Sequence, residues 1–569
     1  MAEQKPIKSI LKYRKRKMPP KQIAVVGSGC AGLGAIWALK STSHEVHLFE
    51  ADDRLGGHTN TVSFIHKGHV TPVDTGFIVM NSSTYPNFLK FLGSINLKIV
   101  ETEMTFGISR DEGAFEWAGN SLSSVFAQWS NLISPRHWRM IFDIIRFNQF
   151  ALDLLSEDDT ANTSFETMGD YLSREDYSTA FRDNYLIPMT ACVWSTSPDK
   201  CSLSFPVKTL VRFLWNHHLL TTISERPPWL TIPGGTRKYL DAIMKDFPED
   251  RIHLNTPITS ITNNRSESVI LHTNRKGEQW MFDEVILACH GDQALQILAA
   301  SVTETEEDIL GAFKTSPNTV FLHSDLSLMP RRRSTWSSWN YLTTSRASTK
   351  PWVFNPFAKN EPNGKAIDDA NPSPALDKVS LTYNMNILQH IPTSLYGHVL
   401  VTMNPPHNPD PRTIQGVYEY SHPLYTPEAV AAQQRLNEIQ GKRGVYFCGA
   451  WTRYGFHEDG FTSGVEIATN FMGAKTPFEV QDARYSRGQK PVLHTKDHAV
   501  RVGVGFIQML IVMGERAWDG MLTLLMLPFD VAAWVLSTFI NVMSYVLMIV
   551  GLLEEKQIQK MESKQKMKQ

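Results

Sequence analysis

The stretch Gln22–Gly57, QIAVVGSGCAGLGAIWALKSTSHEVHLFEADDRLGG, decides the fold. It opens on an apolar strand, Ile23–Val26, and turns through Gly27-x-Gly29-x-x-Gly32. A helix follows, apolar at Leu33, Ala35, Ile36 and Leu39, and a second strand, Val46–Phe49, ends on Glu50. Each residue has a physical task. Gly27 makes the tight turn, Gly29 lets a pyrophosphate approach the backbone, and Gly32 lets helix and strand pack closely. The helix N-terminus offers free N–H groups and the positive end of a dipole to the phosphates. Glu50 follows Gly32 by 18 residues, where an acid that binds ribose belongs. A lone glycine triplet marks many ordinary turns. Strand, triplet, helix, strand and acid in order point to a dinucleotide site.

Further blocks narrow the reading. After Glu50 comes Asp53-Arg54-Leu55-Gly56-Gly57-His58-Thr59, and later Val73-Asp74-Thr75-Gly76-Phe77. Near the end stand Val445-Tyr446-Phe447-Cys448-Gly449-Ala450 and Gly455-Phe456-His457-Glu458-Asp459-Gly460-Phe461-x-x-Gly464. This set resembles the flavin-dependent amine oxidase superfamily over roughly residues 22–81, 230–295 and 440–472. The phrases RLGGHTNTV, LACHGDQAL, STWSSWNY, LTYNMNILQ and YGFHEDGFTSG resemble most a branch of predicted NAD/FAD-binding oxidoreductases. Related domains of that branch are fused to, or encoded beside, cyclopropane-fatty-acid synthases.

The resemblance implies FAD as cofactor. It implies a Rossmann-type α/β domain and an interleaved α+β substrate domain, to which the apolar C-terminal run adds an expected helical anchor. The implied segments are 21–81, 230–295 and 436–475 for FAD, and 82–229 and 296–435 for substrate. A basic arm (1–20), membrane-associated helices (496–555) and a basic tail (556–569) flank them. The expected FAD contacts begin with Gly27, Gly29, Cys30, Ala31 and Gly32 on the first turn, then Glu50 and Ala51. The Gly-Gly turn adds Arg54, Gly56, Gly57, His58 and Thr59, followed by Asp74 and Gly76. Ile258 is expected beside the adenine. Gly449, Glu458, Asp459, Gly460 and Phe461 are expected over the ribityl chain and ring. His58 stands where amine oxidases commonly carry Arg, and either touches the flavin or serves packing.

Composition bounds the rest. The chain has 569 residues, too many for one simple core. A net charge of −1 gives no nucleic-acid signature. Five scattered cysteines without metal spacing read as buried thiols in a reducing compartment. The basic N-terminus lacks an apolar segment, which excludes a secretory signal. A solvated arm or a short transit peptide fits it.

Residues 120–225 carry helical stripes such as Trp138, Ile141, Ile144 and Ile145. Pro227-Pro228 ends that stretch, and Ile232-Pro233-Gly234-Gly235-Thr236 leads into a helix over Lys238–Asp246. One strand is expected through Ile252–Ile261, a hairpin over Val269–Thr273 and Gln279–Phe282, and a further strand over Glu284–Ala288. Thr319–His323, Val379–Asn384 and His398–Met403 read as strands of a substrate sheet. There Trp336, Trp339, Asn340, Tyr341, Tyr383, Asn384 and Asn386 line a pocket or fill a sheet core.

The C-terminus differs in kind. Val531–Leu553 runs 23 residues without a charge, and about 20 span a bilayer. Val502–Leu527 is apolar but interrupted by Glu515, Arg516 and Asp519, which fits an amphipathic or re-entrant helix. A basic tail follows, so membrane lipid is an expected partner. The FAD domain is expected in the cytosol, on the endoplasmic reticulum or the mitochondrial outer membrane.

No Ser-His-Asp or metal-ligand pattern stands out, and no catalytic residue is assigned. Flavin oxidation needs little acid–base help, because the protein mainly orients the substrate and excludes water. The resemblance sets two departures beside this. Many amine oxidases place a Lys near the flavin on a strand that matches Ser316–Phe321, where this chain has none. The acid usual after Cys448-Gly449 is Ala450, which leaves the backbone, Glu458 or Asp459 for the ribityl chain. No Cys lies between Lys378 and Lys442, so non-covalent FAD is expected. The resulting expectation is hydride transfer from a lipophilic small molecule, an unsaturated acyl chain or isoprenoid. Oxygen, a quinone or another membrane acceptor would take the electrons, or the reaction would be a redox-neutral isomerisation. The rivals are an amine or amino-acid oxidase and a non-catalytic flavin scaffold or sensor.

Overall fold

The structure is a computed structural model that describes residues 19–156, 166–194, 203–220, 226–263, 268–344, 380–488 and 490–523, with Thr538 and Val542. The chain divides into two units, Met1–Pro491 and Val492–Gln569.

The first unit contains a parallel sheet built from distant segments. Its strands run Ile252–His253, Glu45–Phe49, Gln22–Val26, Glu284–Leu287 and Val445–Phe447 in spatial order. A parallel strand covered on both faces reads as an unbroken apolar run, as Ile23–Val26 does with all four residues buried. Helix Cys30–Leu39 follows the first strand and packs on helix His457–Phe471. The two backbones touch. A Cβ on Gly464 would lie 1.9 Å from the carbonyl oxygen of Ala31. A Cβ on Gly32 would lie 2.0 Å from that of Gly27.

A second, mixed sheet runs Ile414–Pro423, Thr315–His323, Leu400–Met403, Ser380–Asn384, Trp339–Thr343, Phe106–Arg110 and Phe115–Ala118. Its core includes Leu322, Tyr341, Leu381 and Val401. Helices Pro135–Phe150 and Val207–Asn216 supply a separate core with Phe147, Leu210 and Leu214. Ser134 starts the former by accepting the His137 N–H at 3.3 Å, and proline occupies the first helical turn.

Two local expectations are corrected. The stretch Ile252–Ile261 is not one strand. Ile252–His253 joins the parallel sheet, while Ile258–Asn263 begins an antiparallel sheet with Val269–Thr273 and Gln279–Phe282. Asn255, at φ 49°, and Pro257 break the run between them. The pattern also missed strand Ile414–Pro423. It pairs with Thr315–His323 from Thr315 opposite Pro423 to His323 opposite Ile414. Its exposed face mixes Val417 with Gln415 and Glu419, and Gly416 interrupts Ile414, Tyr418 and Tyr420 on the other, so its apolar alternation is weak.

The second unit contains helix Thr495–Thr523. Its first 20 residues, Thr495–Gly514, have a mean hydropathy of 1.2 and are long and apolar enough to cross a membrane. The expected span Val531–Leu553 lies outside the described residues apart from Thr538 and Val542. The basic tail and residues 1–18 of the arm also lie outside them.

Candidate functional site

A cavity of about 600 Å³ opens at the C-terminal ends of the parallel strands. Strand Gln22–Val26 delivers Gly27, Ser28 and Gly29 to its wall, and Cys30 and Ala31 follow on the helix. That helix starts at Gly29 with no side-chain cap and no acid in its first turn. Its first turn therefore stands at the cavity wall without a side-chain cap. A Cβ built on Gly29 meets nothing within 4 Å. The space in front of the turn is thus open to a ligand.

Glu50 lies on the same wall. Its carboxylate accepts the Ser28 N–H at 2.9 Å, the Ser28 hydroxyl at 2.5 Å and the Asp52 N–H at 3.0 Å. Ser28 Oγ in turn accepts the Gly56 N–H at 2.9 Å. Sequence reading gave Glu50 a partner in ribose and overlooked Ser28, which fixes the carboxylate.

Of the residues singled out from the sequence, the wall brings together Gly27, Gly29, Cys30, Ala31, Glu50, Ala51, Gly57, His58, Gly76, Ile258 and Gly449. The others stand behind it, and several have visible tasks. Gly32 seats the helix on the turn. Gly56 takes φ 111° in the second turn. Thr59 Oγ1 lies 2.5 Å from the Tyr239 hydroxyl. Asp74 accepts the Thr236 N–H at 3.0 Å, the Thr61 hydroxyl at 2.5 Å and the Gln389 amide at 2.8 Å. Arg54 is half-buried off the wall.

Glu458 and Asp459 also lie off the wall, contrary to the ribityl expectation. The turn of helix His457–Phe471 sends Glu458 to the start of helix Pro86–Ser94, where it accepts the Asn87 and Phe88 N–H groups. Asp459 accepts the Phe456 N–H at 3.0 Å. Gly460 and Phe461 pack against helix Cys30–Leu39 instead. A Cβ on Gly460 would lie 2.4 Å from Cys30 Sγ, and Phe461 borders Gly34. At this end the wall is backbone, from Gly449 and Ala450, with His457 beside it.

Imidazoles gather where sequence reading placed none but His58. His58 stacks on Tyr420 with centroids 4.8 Å apart, and lies 5.1 Å from His422 and 6.4 Å from His290. Burial pushes His422 down to about 4 and His290 downward. Burial, with His422 and His290 adding to it, pushes His58 well below its usual value. All three rings are neutral near pH 7. The His58 Nε2 atom is buried without a hydrogen-bond partner among the described residues. His290 was within reach of the sequence, inside LACHGDQAL, but His422 depends on the missed strand.

The far end is aromatic and aliphatic: Trp194, Phe213, Trp229, Trp339, Tyr383 and Phe456, with Val193 and Leu219. Trp339 and Tyr383 face each other across two strands, edge to face, with centroids 5.2 Å apart. Their neighbours Asn340, Tyr341 and Asn384 are buried off the wall. Asn386 braces the loop through Ile391 O and Gly397 O, each at 2.9 Å, and Trp336 donates to Pro330 O at 2.7 Å. Among the described lining residues, Glu50 and Asp52 are the only acids, and no Lys or Arg occurs. Both acids lie at the nucleotide end. No group of three metal-ligating side chains occurs among the described residues.

The family model for flavin containing amine oxidoreductase matches residues 30–369. The chain belongs to that family. By family it is a flavoprotein oxidoreductase with FAD as cofactor. The flavin-dependent L-tryptophan oxidase RebO of Lentzea aerocolonigenes is 27% identical over 167 residues, 29% of this chain and 33% of that protein. An L-amino-acid oxidase of Bungarus fasciatus is 49% identical over 47 residues, 8% of this chain and 9% of that one. The chain thus spans a third or less of the length of these curated relatives. Solved structures share the fold. A CLA-producing fatty acid isomerase from P. acnes has a TM-score of 0.51 at 13% identity, covering 79% of this chain and 98% of its own. Cyclohexylamine oxidase from Brevibacterium oxydans IH-35A has 0.52 at 14%, with the same coverage. The flavoprotein's open turn, uncapped helix start, placed Glu50 and unpartnered His58 Nε2 fit such a cofactor.

Proposed function

We propose that this flavoprotein oxidises a lipophilic small molecule, an unsaturated acyl chain or isoprenoid, by hydride transfer. One observation carries the substrate class. Away from Glu50 and Asp52 the cavity wall offers no charged side chain among the described residues. A protonated amine would find no counter-ion there, and an amino-acid carboxylate no arginine. Burying an unpaired charge is costly, whereas apolar chains suit aromatic walls. The fold shared with a fatty acid isomerase supports an acyl chain in this place.

The chain's own residues divide the work. Gly27, Gly29, Cys30 and Ala31 receive the diphosphate at the helix N-terminus. Glu50, braced by Ser28, holds the ribose. Ile258 borders the adenine, and the backbone of Gly449 and Ala450 borders the ribityl chain. When bound, FAD supplies the hydride acceptor. Trp194, Phe213, Trp229, Trp339, Tyr383 and Phe456 orient the apolar substrate and exclude water. The second unit holds the enzyme at a membrane surface, where such substrates reside.

The deciding experiment purifies the full chain and extracts it with acid. FAD should appear free in solution, and a lipid should accompany it. The same protein is then assayed for peroxide over monoamines, polyamines and amino acids. Turnover of any of them in the ordinary enzymatic range, about 1–10³ s⁻¹, would displace the lipid reading in favour of an amine or amino-acid oxidase. Bound flavin that no lipid or amine reduces would favour a scaffold or sensor.

A further inference from the structure

The neutral rings at the cavity wall differ in one respect: the polarity of His422 is set from outside. The chain of bonds starts at a group with no choice. The Thr319 backbone N–H donates to Oδ1 of Asn404 at 3.0 Å. That orients the Asn404 amide, and its Nδ2 donates to Oδ1 of Asn318 at 2.6 Å. Asn318 is fixed a second time, because its Nδ2 donates to the Ser316 carbonyl at 3.1 Å. The remaining N–H of that Nδ2 meets His422 Nδ1 at 2.7 Å. A neutral imidazole has one donor and one acceptor nitrogen. Here Nδ1 accepts, so Nε2 carries the proton. Burial holds the ring's pKa down at about 4, so no second proton joins near neutrality.

The strand register makes the arrangement local. His422 stands opposite Ser316 and Tyr420 opposite Asn318, so Asn318 and His422 are diagonal neighbours across the pair. Asn318 is 3% exposed and His422 lines the cavity.

We propose that His422 presents a fixed, uncharged Nε2–H donor to the cavity, and that Asn318 and Asn404 hold it in that tautomer. The matching ligand chemistry is an sp² acceptor, a carbonyl oxygen or ring nitrogen. It belongs either to the flavin edge or to the polar end of the substrate. This rests on the flavin reading of the cavity. Within that reading, Asn318 lies on the strand that the resemblance matches to the lysine-bearing one of many amine oxidases, and His422 lies on the strand paired with it. A neutral donor orients an acceptor there without burying a charge. Asn318 is a positioning residue, since it acts only through His422.

The test uses the full chain loaded with FAD and three variants: His422→Phe, which keeps a ring and loses the donor; His422→Gln, which keeps an N–H; and Asn318→Leu. Two quantities are read: the two-electron reduction potential of the bound flavin, and the dissociation constant for methyl oleate, which carries an uncharged ester carbonyl, in detergent micelles, followed by flavin absorbance. If the acceptor is on the flavin, His422→Phe loses tenfold or more of the preference for the reduced form, a drop of about 30 mV per tenfold. If it is on the substrate, methyl oleate binds tenfold more weakly while the potential holds. In either case Asn318→Leu moves the same quantity in the same direction, and His422→Gln returns it toward wild type. The proposal is overturned if His422→Phe binds FAD normally and changes neither quantity, or if Asn318→Leu changes neither. Should His422→Phe not fold, Asn318→Leu and His422→Gln decide by the same criteria. Wild-type protein without FAD would instead overturn the flavin reading, and this proposal with it.

Discussion

The carboxylate of Glu458 accepts the backbone N–H of Phe88 at 2.9 Å, so the buried start of one helix is capped by a side chain from another. The Asn87 N–H at 3.0 Å, its side-chain amide at 2.8 Å and the Thr462 hydroxyl at 3.1 Å complete the set. Glu458 is therefore a structural cap, although its motif resembles a flavin-contacting one. Glu458→Leu removes the acceptor of the Asn87 and Phe88 backbone N–H groups, at about 1–3 kcal/mol for each group left without a partner, while the Asn87 amide keeps Thr462 Oγ1 and Gln481 O. The melting temperature should fall sharply in a calorimetric scan, with a smaller drop for Glu458→Gln. An unchanged melt together with lost FAD would mean that Glu458 acts on the cofactor.

Stability should fall on acidification from pH 7.5 to pH 4.5. Burial holds His217, His323 and His422 down at about 4 and His457 at about 3, and pushes His58 lower as well. For these groups the unfolded chain takes up protons first as pH drops below about 6.5. Their contribution is complete above that value and lost toward pH 4. Burial acts oppositely on carboxyls, raising Glu458 to about 7 and Asp459 and Asp74 to about 6. Their contribution is complete below about pH 4 and lost as pH rises through 6 to 7. The five histidines outnumber the three carboxyls, so the acid loss wins. Urea midpoints at several pH values measure it, and a midpoint that rises on acidification would contradict it. Glu458→Gln removes an opposing group and should steepen the loss between pH 7 and pH 5.

Gly29 and Gly32 should fail in different ways. Gly32→Val places a side chain where even a Cβ lies 2.0 Å from the Gly27 carbonyl, so the protein itself should be destabilised. Gly29→Val meets nothing within 4 Å and has an ordinary backbone, φ −59° and ψ 177°. Its side chain enters the space left for the diphosphate. It should keep the apo-protein's melting temperature and abolish FAD binding, measured by flavin fluorescence titration. Normal FAD affinity in Gly29→Val would remove the turn from the binding site.

The difference between these glycines shows what a sequence carries. The nucleotide turn is legible because its strand, turn, helix and acid are contiguous within Gln22–Glu50. The imidazole cluster is not legible. His58 and His422 meet only because Ile414–Pro423 pairs with Thr315–His323, and the apolar alternation of that strand is weak. Glu458 misleads for a related reason. Its motif marks the helix that packs on Cys30–Leu39, but the direction of its side chain depends on Asn87, 371 positions away. The apolar far wall is intermediate: Trp339 and Tyr383 stood out as residues, yet only the register of their strands brings them to one face.

Removal of the chain beyond Pro491 should leave a flavoprotein. The unit Met1–Pro491 contains every described residue that lines the cavity, the last being His457. Its parallel sheet closes at Val445–Phe447, and the helix that packs on the nucleotide turn ends at Phe471. The second unit begins at Val492, and its helix places Val502, Phe506, Met509 and Met513 at spacings of four, three and four, one apolar stripe. Such a stripe suits an interface with lipid, and a basic tail adds about 1 kcal/mol per lysine near an anionic surface. The truncated protein should therefore stay in the supernatant after centrifugation with liposomes and bind FAD as the full chain does. The full chain should sediment with the liposomes and resist carbonate extraction if it spans them. A truncated protein that aggregates without flavin would show that the C-terminal unit completes the core, and the membrane reading would fall with it.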